Sequence, residues 1–124
     1  MRKLRAATRL LLIGAGLAAL AGCGHSATVG SSRTIRVALS EYRVSPESIR
    51  SMPGLLTLVV ENDGRLAHDL AVSSHGTIVG QTPPLPPGTR TYLVLTLGPG
   101  SYLMTSTLFS DQALGTYGTL TVTR

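Results

Sequence analysis

From Thr34 to the C-terminus, apolar residues recur at every second position in short runs, and each run stops at a turn signal. Ile35, Val37 and Leu39 alternate with Arg36 and Ala38; Leu56, Leu58 and Val60 lead to Asn62-Asp63-Gly64; Leu93, Leu95 and Leu97 lead to Gly98-Pro99-Gly100. A period of two turns one face of each run inward, the pattern of half-buried strands. Strands are also expected over Ala67–Val72, Tyr102–Thr107 and Gly118–Thr123. Prolines 83, 84, 86 and 87 break regular structure between Gln81 and Gly88, which reads as a crossing loop. A turn of helix suits only the stretch from Pro46 to Arg50. Short strands about ten residues apart over roughly 90 residues predict an all-β fold, an antiparallel Greek-key β-sandwich of two sheets. With one Phe and no Trp, its core must be built from Leu, Val and Ile.

The 124 residues suffice for one small domain. The net charge of +5 suggests a polyanion-binding surface until its distribution is considered. Arg2, Lys3, Arg5 and Arg9 lie in the first nine positions, and beyond residue 22 seven arginines against six acids leave only +1. No basic run interleaved with aromatics remains there, so nucleic acid is not an expected partner. The basic start is followed by an apolar run from Leu10 to Gly22, shorter than the ~20 residues a membrane-spanning helix needs, and the two together read as an export signal. The run ends Leu20-Ala21-Gly22-Cys23, which resembles the lipobox of bacterial lipoproteins. That resemblance implies a signal peptide over 1–22, acylation of Cys23 and anchoring in membrane lipid outside the cytoplasm, periplasmic or at the cell surface. Two or three acyl chains at about 0.8 kcal/mol per buried CH₂ would hold durably. Cys23 is the only cysteine, so no intrachain disulfide can form and acylation would leave no thiolate for metal or catalysis. Residues 23–33, small and polar after the cysteine, read as a lipidated flexible tether, with His25 a solvated bystander, and 34–124 as the domain.

Within that domain the motifs resemble the cupredoxin, or blue-copper, family. Val59-Val60-Glu61-Asn62 ending a strand, His68 a few residues later, Pro99-Gly100-Ser101-Tyr102 opening another strand and Gly118-Thr119-Leu120-Thr121-Val122 near the end match its framework over residues 34–124. Counted from Pro99, the family's cysteine position falls on Ser106, its second histidine on Asp111 and its axial methionine on Thr116; the first histidine is kept as His68, followed by Asp69 where the family often has Asn. A blue-copper centre needs two imidazoles and a thiolate, and a serine hydroxyl supplies neither the soft bond nor the charge. The resemblance therefore implies the scaffold with its type 1 ligands lost.

Three readings of His68, Ser106, Asp111 and Thr116 remain open. They could close the end of the sandwich as a hydrogen-bond cluster, with Asp111 accepting from His68, leaving a non-enzymatic binding or accessory module with no cofactor. They could hold copper or zinc weakly or in chaperone fashion through His68 and Asp111, with Met104 a candidate thioether because it shares a strand face with Ser106; His75 and Met52 have weaker claims. Or serine, histidine and aspartate could form a hydrolytic triad, which requires the imidazole between the other two and an oxyanion hole that no neighbouring Gly-rich loop offers. The protein partner is unidentified; copper-handling or oxidase-assembly proteins are the class that a metal role would imply.

Overall fold

The computed structural model describes residues 25–108 and 111–124. The stretch read as an export signal, and Cys23, lie outside the described residues. Among the described residues, ten strands form two sheets. In chain order they are β1 (Ser26–Thr28), β2 (Thr34–Ser40), β3 (Arg43–Ser45), β4 (Ser48–Ser51), β5 (Gly54–Asn62), β6 (Ala71–Ser74), β7 (Thr77–Gln81), β8 (Arg90–Leu97), β9 (Gly100–Thr105) and β10 (Tyr117–Val122). A 3-10 turn, Asp111–Leu114, precedes β10. One sheet runs β1-β4-β10-β9-β6-β7 and the other β3-β2-β5-β8.

The alternation seen in the sequence decides which side chains lie between the sheets. Val37 and Leu39 of β2, Leu56, Leu58 and Val60 of β5, and Leu95 and Leu97 of β8 line one side. Ile49, Val72, Met104, Leu120 and Val122 line the other. Each such residue, fully buried, contributes about 1.5–3 kcal/mol, and together they form the aliphatic core expected of a chain with one Phe. The inward register of β5 continues one step past Val60 to Asn62, also fully buried. An apolar stripe thus delivers a polar side chain to one end of the core.

Four expectations need correction. The sandwich is not purely antiparallel, because β2 pairs β5, and β4 pairs both β1 and β10, in parallel. Inward-outward alternation is the same in either direction, so the pattern of residues carries no sign of it. Residues 23–33 are not a tether throughout: β1 pairs β4 over Ser26–Thr28, His25 O accepts from Glu47 N and Ser48 N at 2.9 and 3.3 Å, and Val29 is buried. That pairing is made by the backbone, which small polar residues do not advertise. The stretch around Pro46–Arg50 is strand β4 from Ser48 on, not helix, and β6 begins at Ala71 rather than Ala67. His68 meets Leu85 in a single isolated bridge, so the proline-rich crossing loop is pinned to the site's own chain.

Candidate functional site

One end of the sandwich gathers the residues singled out in the sequence. β5 ends there at Asn62 and β9 ends at Thr105, just before Ser106, while β10 begins there at Tyr117, just after Thr116. Asn62 organises the connection that carries His68. Its Nδ2 donates to Leu66 O and Leu85 O, both at 2.8 Å, and its Oδ1 accepts from Gly64 N at 2.8 Å. The last bond is the Asx turn that Asn-Asp-Gly foretells. His68 N and O then bond Leu85 O and N at 3.2 and 2.8 Å, which holds the imidazole at 1% exposure.

Both ring nitrogens of His68 face carboxylates. Nδ1 lies 2.7 Å from Asp111 Oδ2 and Nε2 lies 3.3 Å from Glu41 Oε1. The same Asp111 oxygen accepts from Ser106 Oγ at 2.6 Å, and Ser106 Oγ is also 3.1 Å from Asp69 Oδ1. Thr116 closes the loop through its backbone: its N–H donates to Asp111 O at 2.9 Å and its carbonyl accepts from Ser106 N at 3.3 Å. His68, Ser106, Asp111 and Thr116 are thus brought together. Met104 is not with them; it lies in the aliphatic core opposite Val72 and against Gly118. Met52 is exposed in the β4–β5 turn at the far end, and His75, in the β6–β7 turn, is exposed there as well.

Two acids complete the cluster. Asp69 is 2% exposed and accepts from the Thr107 backbone N–H at 2.6 Å, the Thr107 hydroxyl, and Gln81 Nε2 at 2.9 Å. Burial acts most strongly on its carboxyl, and upward, but the bonds from Thr107, Gln81 and Ser106 together outweigh it and hold the group below the ordinary aspartate range. Glu41 carries no signal in the sequence. Its Oε1 accepts from Arg65 N at 2.6 Å and Leu66 N at 2.7 Å, and these bonds, Leu66 first, help bring its carboxyl down to about 2. Glu41 lies at a hairpin 27 residues before His68, and no spacing rule connects the two.

The order of groups decides against a triad. The carboxylate of Asp111, not the imidazole, sits between hydroxyl and ring, so Ser106 O–H donates to carboxylates and not to the imidazole a triad requires. Thr116 Oγ1 is buried with no hydrogen-bond partner among the described residues, a group that costs about 1–3 kcal/mol when left unmet. Among the described residues, no three His, Cys, Asp or Glu side chains are grouped to hold a metal ion.

Comparison with solved structures gives the same scaffold repeatedly. The reduced auracyanin of the photosynthetic bacterium Roseiflexus castenholzii superposes with a TM-score of 0.68 at 20% identity, over 77% of this chain and 100% of that one. Auracyanin A of Chloroflexus aurantiacus, a "blue" copper protein, gives 0.62 at 14%, over 78% and 100%. Rusticyanin of Thiobacillus ferrooxidans gives 0.64 at 15%, over 79% and 82%. The fold is cupredoxin-like. No protein-family model matches the chain, and no curated protein matches it in sequence. At these identities the likeness establishes the fold alone, and whether copper suits this cupredoxin-like chain rests on its own donors. They do not fit a blue centre. One imidazole is present with each nitrogen facing a carboxylate, Ser106 and Thr116 bring hydroxyls and no sulfur, and the carboxylate of Asp111 fills the space between His68 and Ser106.

Proposed function

We propose that this protein is a lipid-anchored extracytoplasmic lipoprotein whose cupredoxin-like domain serves as a non-enzymatic binding or accessory module, its former metal site closed by hydrogen bonds. The observation that carries the reading is the single oxygen of Asp111 at 2.7 Å from His68 Nδ1 and 2.6 Å from Ser106 Oγ. A buried carboxylate so placed satisfies the groups that a metal would otherwise organise. The lipobox-like Leu-Ala-Gly-Cys and the apolar run before it support the anchor. The protein it serves is unidentified; a partner among copper-handling or oxidase-assembly proteins fits an accessory role on this scaffold.

The test is titration of the purified protein with Cu(II), Cu(I) and Zn(II) under equilibrium dialysis, with visible spectra and the His68→Ala variant alongside. Expected is no stoichiometric binding that depends on His68 and no intense thiolate-type absorption. One equivalent of copper or zinc per chain, lost in His68→Ala, would replace this reading with a metal-carrying one.

A further inference from the structure

The chain enters its sheet from the direction of the site end. β1 and β4 run parallel to β10, away from that end: Ser26 is in register with Ser48, and Ser48 with Thr119, two residues along β10 from Tyr117. His25 O accepts from Glu47 N at 2.9 Å, and Glu47 O accepts from Thr119 N at 2.7 Å, so His25 lies two hydrogen bonds from the third residue of β10. The C-terminal residues lie at the opposite end, where Thr123 N donates to Ser51 O and Val122 pairs with Gly100. With β1 held in the sheet, Cys23 is three residues from Ser26, a reach of at most about 10 Å. An anchor there cannot leave the domain free to hang off on a long leash.

The surface beside that entry point is apolar. Tyr42, Leu66, Leu114 and Tyr117 expose 55%, 53%, 55% and 53% of their area. They are neighbours. Leu66 N donates to Glu41, the residue before Tyr42; a Cβ on Gly115, next to Leu114, would lie 3.2 Å from Tyr42 O; and Tyr117 N donates to Gly115 O. Arg43 and Arg65 are exposed beside them, while the exposed Asp63 lies 3.6 Å from Arg36. Two tyrosines and two leucines flanked by arginines match the interfacial zone of a bilayer, where phenol rings sit at headgroup depth and guanidinium groups meet phosphate.

We infer that the site end of the sandwich lies on the phospholipid surface, with Tyr42, Leu66, Leu114 and Tyr117 seated in the interface and the Glu41–His68–Asp111 cluster facing the membrane. The inference rests on the lipid-anchor reading for what brings the chain to the bilayer, and on the geometry of β1 for which end arrives. The occupant of the apolar patch is lipid, because the segment bearing the export run and Cys23 precedes β1, whose direction in the sheet leads back toward the patch end. A partner of the module then has the sides and far end of the sandwich available to it.

The chain has no tryptophan, so a single one reports its own surroundings. The full chain is expressed with its leader, extracted from membranes and returned to vesicles of phosphatidylglycerol and phosphatidylcholine, with and without a headgroup-level nitroxide lipid. Leu114→Trp and, at the far end, Met52→Trp are compared; both positions are exposed and tolerate the ring. Expected is emission from the Leu114→Trp variant shifted to shorter wavelength and quenched several-fold more by the nitroxide lipid than emission from the Met52→Trp variant. Equal quenching, stronger quenching at position 52, or a blue shift at 114 without lipid quenching, as packing against a protein would give, overturns the inference. Intact mass separates the two readings. Acylated Cys23 without quenching at 114 leaves the anchor standing and sinks the orientation; quenching at 114 in membrane-bound but unacylated protein does the reverse; protein found without acyl chains and off the membrane ends both.

Discussion

Replacing Asp111 by alanine tests whether its carboxylate holds the closed end together. The substitution removes the one acceptor shared by His68 Nδ1 and Ser106 Oγ, whose residues are each 1% exposed. Ser106 retains an outlet, since its hydroxyl can turn wholly to Asp69 Oδ1 at 3.1 Å. His68 Nδ1 does not, and a buried polar atom left unmet costs about 1–3 kcal/mol. Adding the small void left by the side chain brings the expected loss to about 2–4 kcal/mol. Against a total of roughly 5–15 kcal/mol for a domain of this size that is a large fraction, and it should lower the melting temperature on the order of 10–25 °C. Asp111→Asn is the control. Its amide oxygen can accept from both donors and loses only the charge assistance, so it should cost about 1 kcal/mol. The assay is urea unfolding, read as a shift of midpoint at unchanged slope. An alanine variant within ~0.5 kcal/mol of the parent, the usual range of surface changes, would refute the reasoning, as would an asparagine variant no better than alanine.

Three further outcomes follow from the same geometry. Because the carboxyls of Asp69 and Glu41 titrate below their ordinary range in the folded protein, they stabilise it above the unfolded-state pKa of about 4. That stability should be lost as pH falls toward the folded values. Urea midpoints should therefore be flat near neutrality and drop below about pH 4.5, less steeply in Asp69→Asn; a midpoint unchanged down to pH 3 contradicts the assignment. Gly118→Ala would place a Cβ 2.7 Å from Glu47 O and 3.1 Å from Met104 Cε, and should destabilise by about 1–3 kcal/mol in thermal melts, since the nearer atom is backbone held just before the paired strand β4. The triple change Ser106→Cys, Asp111→His and Thr116→Met restores a thiolate, a second imidazole and a thioether around His68, and should yield an intense copper-thiolate band that none of the single changes gives; a colourless triple variant that remains folded argues that the loop has moved too far to hold a metal.

Much of the site could be read from the chain because its residues lie on elements with strong local signals. Asn62 follows the inward stripe of β5 and opens an Asn-Asp-Gly turn, His68 comes a few residues after it, and Ser106 and Thr116 are placed by the strands that flank their loop. Glu41 had no such signal. Its role exists only because the β2–β3 hairpin lies over residues 64–66, so that its carboxylate meets two backbone N–H groups and a ring 27 positions away. The place of Asp111 was legible, and so was the idea that it might accept from His68; that its one oxygen would stand between imidazole and hydroxyl, and so deny a triad its order, was not.

The alternation of Leu, Val and Ile by itself determined that the chain forms a two-sheet sandwich with an aliphatic interior, because burying one face of each strand is the dominant gain open to such a pattern. Strand direction, the capture of Ser26–Thr28 by β4 and the end at which the chain enters were decided only by tertiary structure. Those features depend on backbone hydrogen bonds between segments distant in sequence, and a backbone N–H or C=O is the same in every residue that carries it.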